Sequence, residues 1–272
     1  TTYFLGEVSR FGWKHYFPII YLVKEPLAWW GLVTIALIAM VTQVKSLKFK
    51  VKSFSDWTKN HFTEFAMLLW LLIYWTVSIK SNLNIGVRHL LPTYPFAILL
   101  VSGQLSRILK TVSQKFVFIP SALLIFFLAG YLAENIKAYP HYLAYFNQIA
   151  GGPAGGHRLV VDSNLDWGQD LKRFSQWVQK TKIKKVEFDY FGWADPSYYL
   201  GSSYISSNSQ KYKNAEDFRA RNQSDGWLAV SATFLEGSQG PPDQFKPINY
   251  LWLKAYQPVT IIGHSIFVYR IE

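Results

Sequence analysis

Three stretches bring together side chains able to do chemistry. In Asn82-Leu83-Asn84-Ile85-Gly86-Val87-Arg88-His89-Leu90-Leu91-Pro92, Arg88 supplies a planar, permanently charged fork suited to phosphate or carboxylate, and His89 adds a second donor. At a membrane surface this pair can hold a lipid phosphate. It can equally be an interfacial arginine reaching toward headgroups. Nearer the amino terminus, Glu7, Arg10 and Lys24 lie in an aromatic, amphipathic stretch. Glu7, Arg10 and Lys24 can face a substrate cleft, for which Asn84 is a further candidate. The same charges also suit the solvated edge of an interfacial helix.

The third stretch, Asp162-Ser163-Asn164-Leu165-Asp166-Trp167-Gly168-Gln169-Asp170, is expected to end a strand and open a helix. Ligand sites in α/β folds favour that position. Asp162, Asn164, Asp166, Trp167, Gln169 and Asp170 can there bind a cation or sugar hydroxyls. Carboxylates in a first helical turn are also ordinary complements of the helix dipole. His141, His157 and His264 are too scattered in the sequence to define a site, and no Ser/His/Asp arrangement is legible.

The elements that would position these residues divide the chain in two. Residues 27–44, 65–79, 94–109 and 116–133 are apolar runs close to the length needed to cross a hydrocarbon core of roughly 30 Å. None carries a central charge, and none shows the polar stripe of a surface helix. Lys45, Lys48, Lys50, Lys52 and Lys59 follow the first run, and Arg107, Lys110 and Lys115 crowd the junction of the third and fourth. The loop between the second and third holds only Arg88, with Lys80 at its edge. Basic residues accumulate on the cytoplasmic side. The expected topology therefore has Arg88, the amino-terminal stretch and everything after Glu134 outside.

Net charge is +11, from 28 basic and 17 acidic residues. Residues 1–134 hold 13 and 5 of these and 135–272 hold 15 and 12, so +8 belongs to the apolar half. Orientation in a bilayer accounts for that excess, which removes nucleic acid as an expected partner. With no cysteine, disulfides and thiolate metal sites are excluded. The chain begins Thr1-Thr2 without an initiator methionine, and is expected to be the carboxy-terminal part of a larger protein.

After residue 135, strand and helix signals alternate. Strands are expected at 158–162, 185–191 and 226–232, and helices at 165–181, 215–221 and 247–255. The 165–181 helix is expected to be capped by Ser163 or Asn164, with Asp166 in its first turn. Gly263-His264 between two apolar runs signals a hairpin, and 202–225 is polar enough for a long surface loop. The expected fold class is thus an α-helical transmembrane bundle followed by a small extracytoplasmic α/β domain with a mixed sheet. Its domains would be 1–134, with about four spans and an interfacial amino-terminal segment, and 135–272.

Several strings also occur together in order: Tyr3-Phe4-Leu5-Gly6-Glu7, Tyr16-Phe17-Pro18 with Lys24-Glu25-Pro26, Asn84 to Pro92 with Tyr94-Pro95-Phe96, Tyr139-Pro140-His141-Tyr142-Leu143-Ala144-Tyr145-Phe146-Asn147, Gly151-Gly152-Pro153, and Asp162 to Leu171. Over most of residues 1–200 the chain resembles the carboxy-terminal part of bacterial integral-membrane glycosyltransferases similar to the protein O-mannosyltransferases. One departure is Glu25, where a small polar residue such as threonine is expected.

The resemblance implies a GT-C type enzyme of the bacterial plasma membrane. It would transfer a sugar from a polyprenyl-phosphate donor to a protein or glycan acceptor on the outer face. The catalytic acidic residue of such enzymes lies in an early external loop, and this chain is expected to begin after it. Arg88, helped by His89 and Lys24, would then face the departing phosphate. No cofactor is implied, and a divalent cation remains an open option. A transporter would bury ionisable residues in its spans or break them at mid-membrane, which these runs do not do. A membrane-anchored extracytoplasmic binding module without catalysis is the standing alternative, although a mere tether has no need of a basic outer loop.

Overall fold

The computed structural model describes residues 2–46, 54–238 and 249–272. The chain forms two compact units, Trp13–Tyr139 and Thr1–Gly12 with Pro140–Glu272.

The first unit is helical: α1 (Tyr16–Lys24), α2 (Leu27–Ser46), α3 (Phe54–Asn60), α4 (Phe62–Lys80), α5 (Tyr94–Thr111) and α6 (Phe118–Ala138). Among the described residues, α4 and α6 are long and apolar enough to cross a membrane. A further pair, α1 with α2 as far as Val41, meets the same measure together but bends by 108° at its break. The break has a local cause. Pro26 disfavours the α conformation for the residue before it, and Glu25 is extended at φ −95°, ψ 143°. Helix α5 does not qualify, because Ser102, Gln104, Ser106, Arg107, Lys110 and Thr111 occupy its second half. The expectation of four spans is corrected accordingly to two, or three with the bent pair. Lys48, Lys50 and Lys52 of the expected inner loop lie outside the described residues.

Helices α2 and α6 pack closely where Gly31 meets Phe127. A Cβ on Gly31 would fall 2.1 Å from the Phe127 ring. No residue in the apolar window of α6 is buried within the chain, and Phe118, Ile125, Phe126 and Leu132 are exposed.

The second unit begins with a hairpin, β1 (Thr2–Phe4) and β2 (Glu7–Ser9). Its turn residues Leu5 and Gly6 both have positive φ, as tight hairpins require. Phe4 is buried and bridges Val160, and Leu5 N donates to Leu159 O at 2.9 Å. The first residues therefore belong with the α/β unit, and the boundary falls at Gly12 as well as at Pro140. The expected strand at 158–162 reduces to this one bridge.

A short helix α7 (Gly152–Gly155) and 3₁₀ turns at Gly156–Arg158 and Asp162–Asn164 precede α8 (Leu171–Lys180). Helix α8 starts six residues later than its periodicity suggests. Gly168 has φ +75°, which interrupts any helix running through it. Asp170 takes the position before the helix, so Ser163 and Asn164 are not its cap and Asp166 is not in its first turn.

The remaining elements are β3 (Val186–Asp189), α9 (Pro196–Leu200), β4 (Tyr204–Ser206), α10 (Ala215–Arg221), β5 (Trp227–Ser231), α11 (Ala232–Gly237), β6 (Thr260–Ile262) and β7 (Ile266–Arg270). The sheet is mixed, in the order β4-β3-β5-β7-β6, with β3 parallel to both β4 and β5. Strand β4 lies inside the stretch expected to be a loop. Residues 250–255 form a 3₁₀ helix in place of the expected helix 247–255, whose first two residues lie outside the described ones.

One sheet face packs Val186, Phe188, Ala229 and Val268 against Leu171, Phe174 and Val178 of α8. The other carries Glu187, which is fully buried. It accepts from Tyr212 Oη at 2.6 Å, Lys211 Nζ at 2.9 Å, Gln223 N at 3.1 Å and Ser207 Oγ at 3.3 Å. With both faces covered, every residue of β3 is buried, although its sequence Val186-Glu187-Phe188-Asp189 alternates apolar and polar.

Candidate functional site

Strands β4 and β5 lie on opposite sides of β3, so the strand order reverses there. In open α/β sheets ligands bind outside the carboxyl ends of strands at such a reversal. The loop 162–170 occupies this position. Asp162 N donates to Thr233 Oγ1 at 3.1 Å, just past the end of β5. Tyr190, just past β3, donates from Oη to Gly168 O at 3.0 Å, and Phe191 N donates to Ser231 Oγ at 3.0 Å.

Within the loop the carboxylates have different tasks. Asp166 is fully buried and accepts from Gly168 N at 3.1 Å and Thr233 Oγ1 at 3.3 Å. Burial pushes its pKa up to about 7, against the opposing pull of the Gly168 and Thr233 donors. Asp170 is also fully buried. It accepts from Ser265 Oγ at 2.7 Å, from Gln169 Nε2 at 3.1 Å and from Arg173 Nη1. Gly263 permits this packing, since a Cβ there would fall 1.9 Å from the Asp170 carboxyl carbon. Asn164 is buried, and Gln169 also donates to Leu165 O at 3.0 Å. Asp162 is half-buried with φ +55° and accepts from Trp167 Nε1 at 3.3 Å. A positive φ on a non-glycine residue costs energy and clusters at functional sites.

Two histidines meet beside Asp170, although their sequence separation hides it. The rings of His141 and His264 stand 5.4 Å apart edge to face, and His141 Nδ1 lies 4.0 Å from Asp170 Oδ1. Burial first, and then neighbouring His141, depress the His264 pKa. His157 is elsewhere, 2.7 Å from buried Glu236. Among the described residues, no group of three or more His, Cys, Asp or Glu is arranged to hold a metal ion.

The basic loop belongs to the helical unit. Gly86, at φ +98°, opens a 3₁₀ helix over Val87–Thr93. Tyr74 Oη holds this turn through His89 O at 2.8 Å, and Trp70 Nε1 through Pro92 O at 3.3 Å. Arg88 is exposed, with its Nε donating to Ile85 O at 3.2 Å. The His89 ring sits between Phe17 and Tyr74, at 5.5 and 5.8 Å. Asn84 Oδ1 accepts from Trp13 N at 2.6 Å, and its buried Nδ2 has no partner among the described residues.

Lys24 is half-buried at the α1–α2 break, and its neighbour Glu25 is buried and accepts from Tyr94 Oη. Buried Glu25 was not among the expected site residues. The only signal for it was a charge pair before Pro26 between two apolar stretches. Glu7 and Arg10 are exposed in the α/β unit, whereas Asn84 is in the helical unit. Glu7, Arg10 and Asn84 therefore do not form one cluster within a single unit. Compared with family models, with curated proteins and with solved structures, the chain matches none.

Proposed function

We propose that this chain is the carboxy-terminal portion of a membrane glycosyltransferase. It would move a sugar from a polyprenyl-phosphate donor to an acceptor on the outer face of the membrane. The observation that supports this reading is the convergence of the strings that carry the resemblance. In the helical unit, Phe17 meets His89, and Glu25 meets Tyr94 across 69 residues. In the α/β unit, Pro140 O accepts from Arg173 Nη2 at 3.4 Å, and His141 faces Asp170. Residues of strings far apart in sequence thus touch within each unit, Phe17 with His89, Glu25 with Tyr94 and His141 with Asp170.

An acceptor hydroxyl attacks the anomeric carbon, and the polyprenyl phosphate leaves with both electrons of the broken bond. The negative charge gathering on that phosphate is what a preorganised arginine stabilises. Arg88 takes this role, with His89 and Lys24 assisting. The base that receives the acceptor proton is, by the resemblance, an acidic residue of an early external loop. Arg88→Ala in the intact protein should lower transfer from a radiolabelled polyprenyl-phosphate sugar by about a hundredfold or more. Expression and membrane insertion should be unchanged. Transfer at the wild-type rate would remove Arg88 from the reaction. The second reading, a tethered binding module, is favoured by the polar loop at the strand-order reversal, and it predicts no transfer at all.

A further inference from the structure

The segment after β3 leaves a tryptophan outside the fold. Trp193 is 99% exposed, and Tyr198 of the same segment 83%. Large aromatic rings are rarely left so bare. The segment is nevertheless ordered by its own bonds. Asp195 accepts from Ser197 N at 2.8 Å and so caps α9, while Tyr190 and Phe191 tie its start to Gly168 and Ser231.

This segment touches the 162–170 loop backbone to backbone. A Cβ on Gly168 would lie 2.9 Å from Gly192 Cα. Trp167 precedes Gly168 and Trp193 follows Gly192, so each is next in sequence to a residue of this contact, and Trp167 is 48% exposed. Asp162 accepts from the Trp167 indole N–H through Oδ1.

We infer that Trp193, Trp167 and Asp162, at the carboxyl ends of β3 and β5, form a binding site for a pyranose saccharide. A sugar ring has an apolar C–H face that packs on an aromatic face, and hydroxyls at its rim that donate to a carboxylate. Aromatic surface with a few placed polar groups is the usual make-up of a small-ligand site. The competing occupant of an exposed tryptophan is a bilayer interface, where aromatic rings sit beside basic residues. Residues 190–199 contain Asp195 and neither lysine nor arginine, which favours the sugar. Calling this saccharide the acceptor rests on the proposed function. The binding itself does not.

The test uses the whole chain in lipid nanodiscs, titrated with hexasaccharides of glucose, N-acetylglucosamine and mannose and followed by calorimetry. At least one should bind, and Trp193→Ala should weaken it about tenfold, the cost of losing one apolar face. Because Trp193 packs against almost nothing, this variant should keep the wild-type circular dichroism. Asp162→Asn should weaken binding by a smaller factor. No binding at millimolar sugar, or equal binding by Trp193→Ala, overturns the inference. So does quenching by brominated lipids that Trp193→Ala abolishes and sugar does not relieve, which would make the segment a membrane contact. The transfer assay on Arg88→Ala is separate. Hexasaccharide binding in a chain that transfers nothing would leave the site standing and remove only its acceptor role.

Discussion

The two units differ in what they show to solvent, although each buries carboxylates, Glu25 in the helical unit included. In the α/β unit Glu187, Asp166 and Asp170 are withdrawn fully from water, and each is met by several donors. In the helical unit the pair Glu64–Arg107 stays near solvent, with side chains 31% and 49% exposed, while Phe118, Phe126 and Leu132 point outward. A fold in water hides apolar groups and must match any charge it hides. A helix set that displays its apolar side chains has no water-facing reason to do so. The contrast teaches that the helical unit displays apolar side chains on helices, two of which are long and apolar enough to cross a membrane, while the α/β unit gathers them into a core.

Three measurements can break or sharpen that contrast. The largest effect is expected from Glu187→Ala, which strands Tyr212 Oη, Lys211 Nζ and Gln223 N around an empty place. Truncating one partner of a buried charged network costs about 3–5 kcal/mol. Thermal unfolding of the protein in micelles should show the α/β transition falling steeply, and an unchanged midpoint would mean that Glu187 is not buried as described.

Next comes pH. The folded pKa of Asp166 is raised from 3.8 to about 7, so between these values the folded state holds a proton that the unfolded state has lost. Stability from this group is therefore present below about pH 4 and is lost as pH rises to about 7, by up to about 4 kcal/mol. His264, with a depressed pKa, acts in the opposite sense: its contribution is lost as pH falls below its unfolded value of 6.5. Asp166→Asn should abolish the downward slope between pH 4.5 and 7 and leave the His264 part visible. A variant with the wild-type slope would place the raised carboxyl elsewhere.

The smallest effect is expected from Glu64→Ala. An exposed ion pair contributes roughly 0–1 kcal/mol, so the helical unit should melt within about a degree or two of wild type. A large loss would show that the pair is sequestered and would blur the contrast between the units.

Much of the α/β unit was legible because short-range physics governs it. The Gly263-His264 turn, helix α10 over Ala215–Arg221 and strands β3 and β5 all fall where turn chemistry and apolar runs place them. The start of α8 was not, since Leu165, Leu171, Phe174 and Val178 keep a helical spacing straight through a glycine that the fold holds at positive φ. Strand β4, Tyr204–Ser206, is three residues long within polar sequence and is set by pairing to β3, a partner no local window contains. The 162–170 loop was legible as a strand-end position. What its side chains do there was not: Thr233, Tyr190 and Ser265 come from 22 to 95 residues away. His141 and His264 illustrate the same limit, as only the hairpin turn brings them together. In the helical half, composition marked α4 and α6 well and overrated α5, because a window average conceals polar residues gathered at one end.

The hairpin at the start of the chain has an arithmetic consequence. Residues 2–12 and 140–272 fold as one body, so the polypeptide departs from that body at Gly12 and rejoins it at Pro140. A thread that leaves and returns to the same bank has forded the stream an even number of times. The passages of α4 and α6 already satisfy that count, and a crossing by the bent pair α1–α2 would need a further one that α5, by apolar length, does not supply.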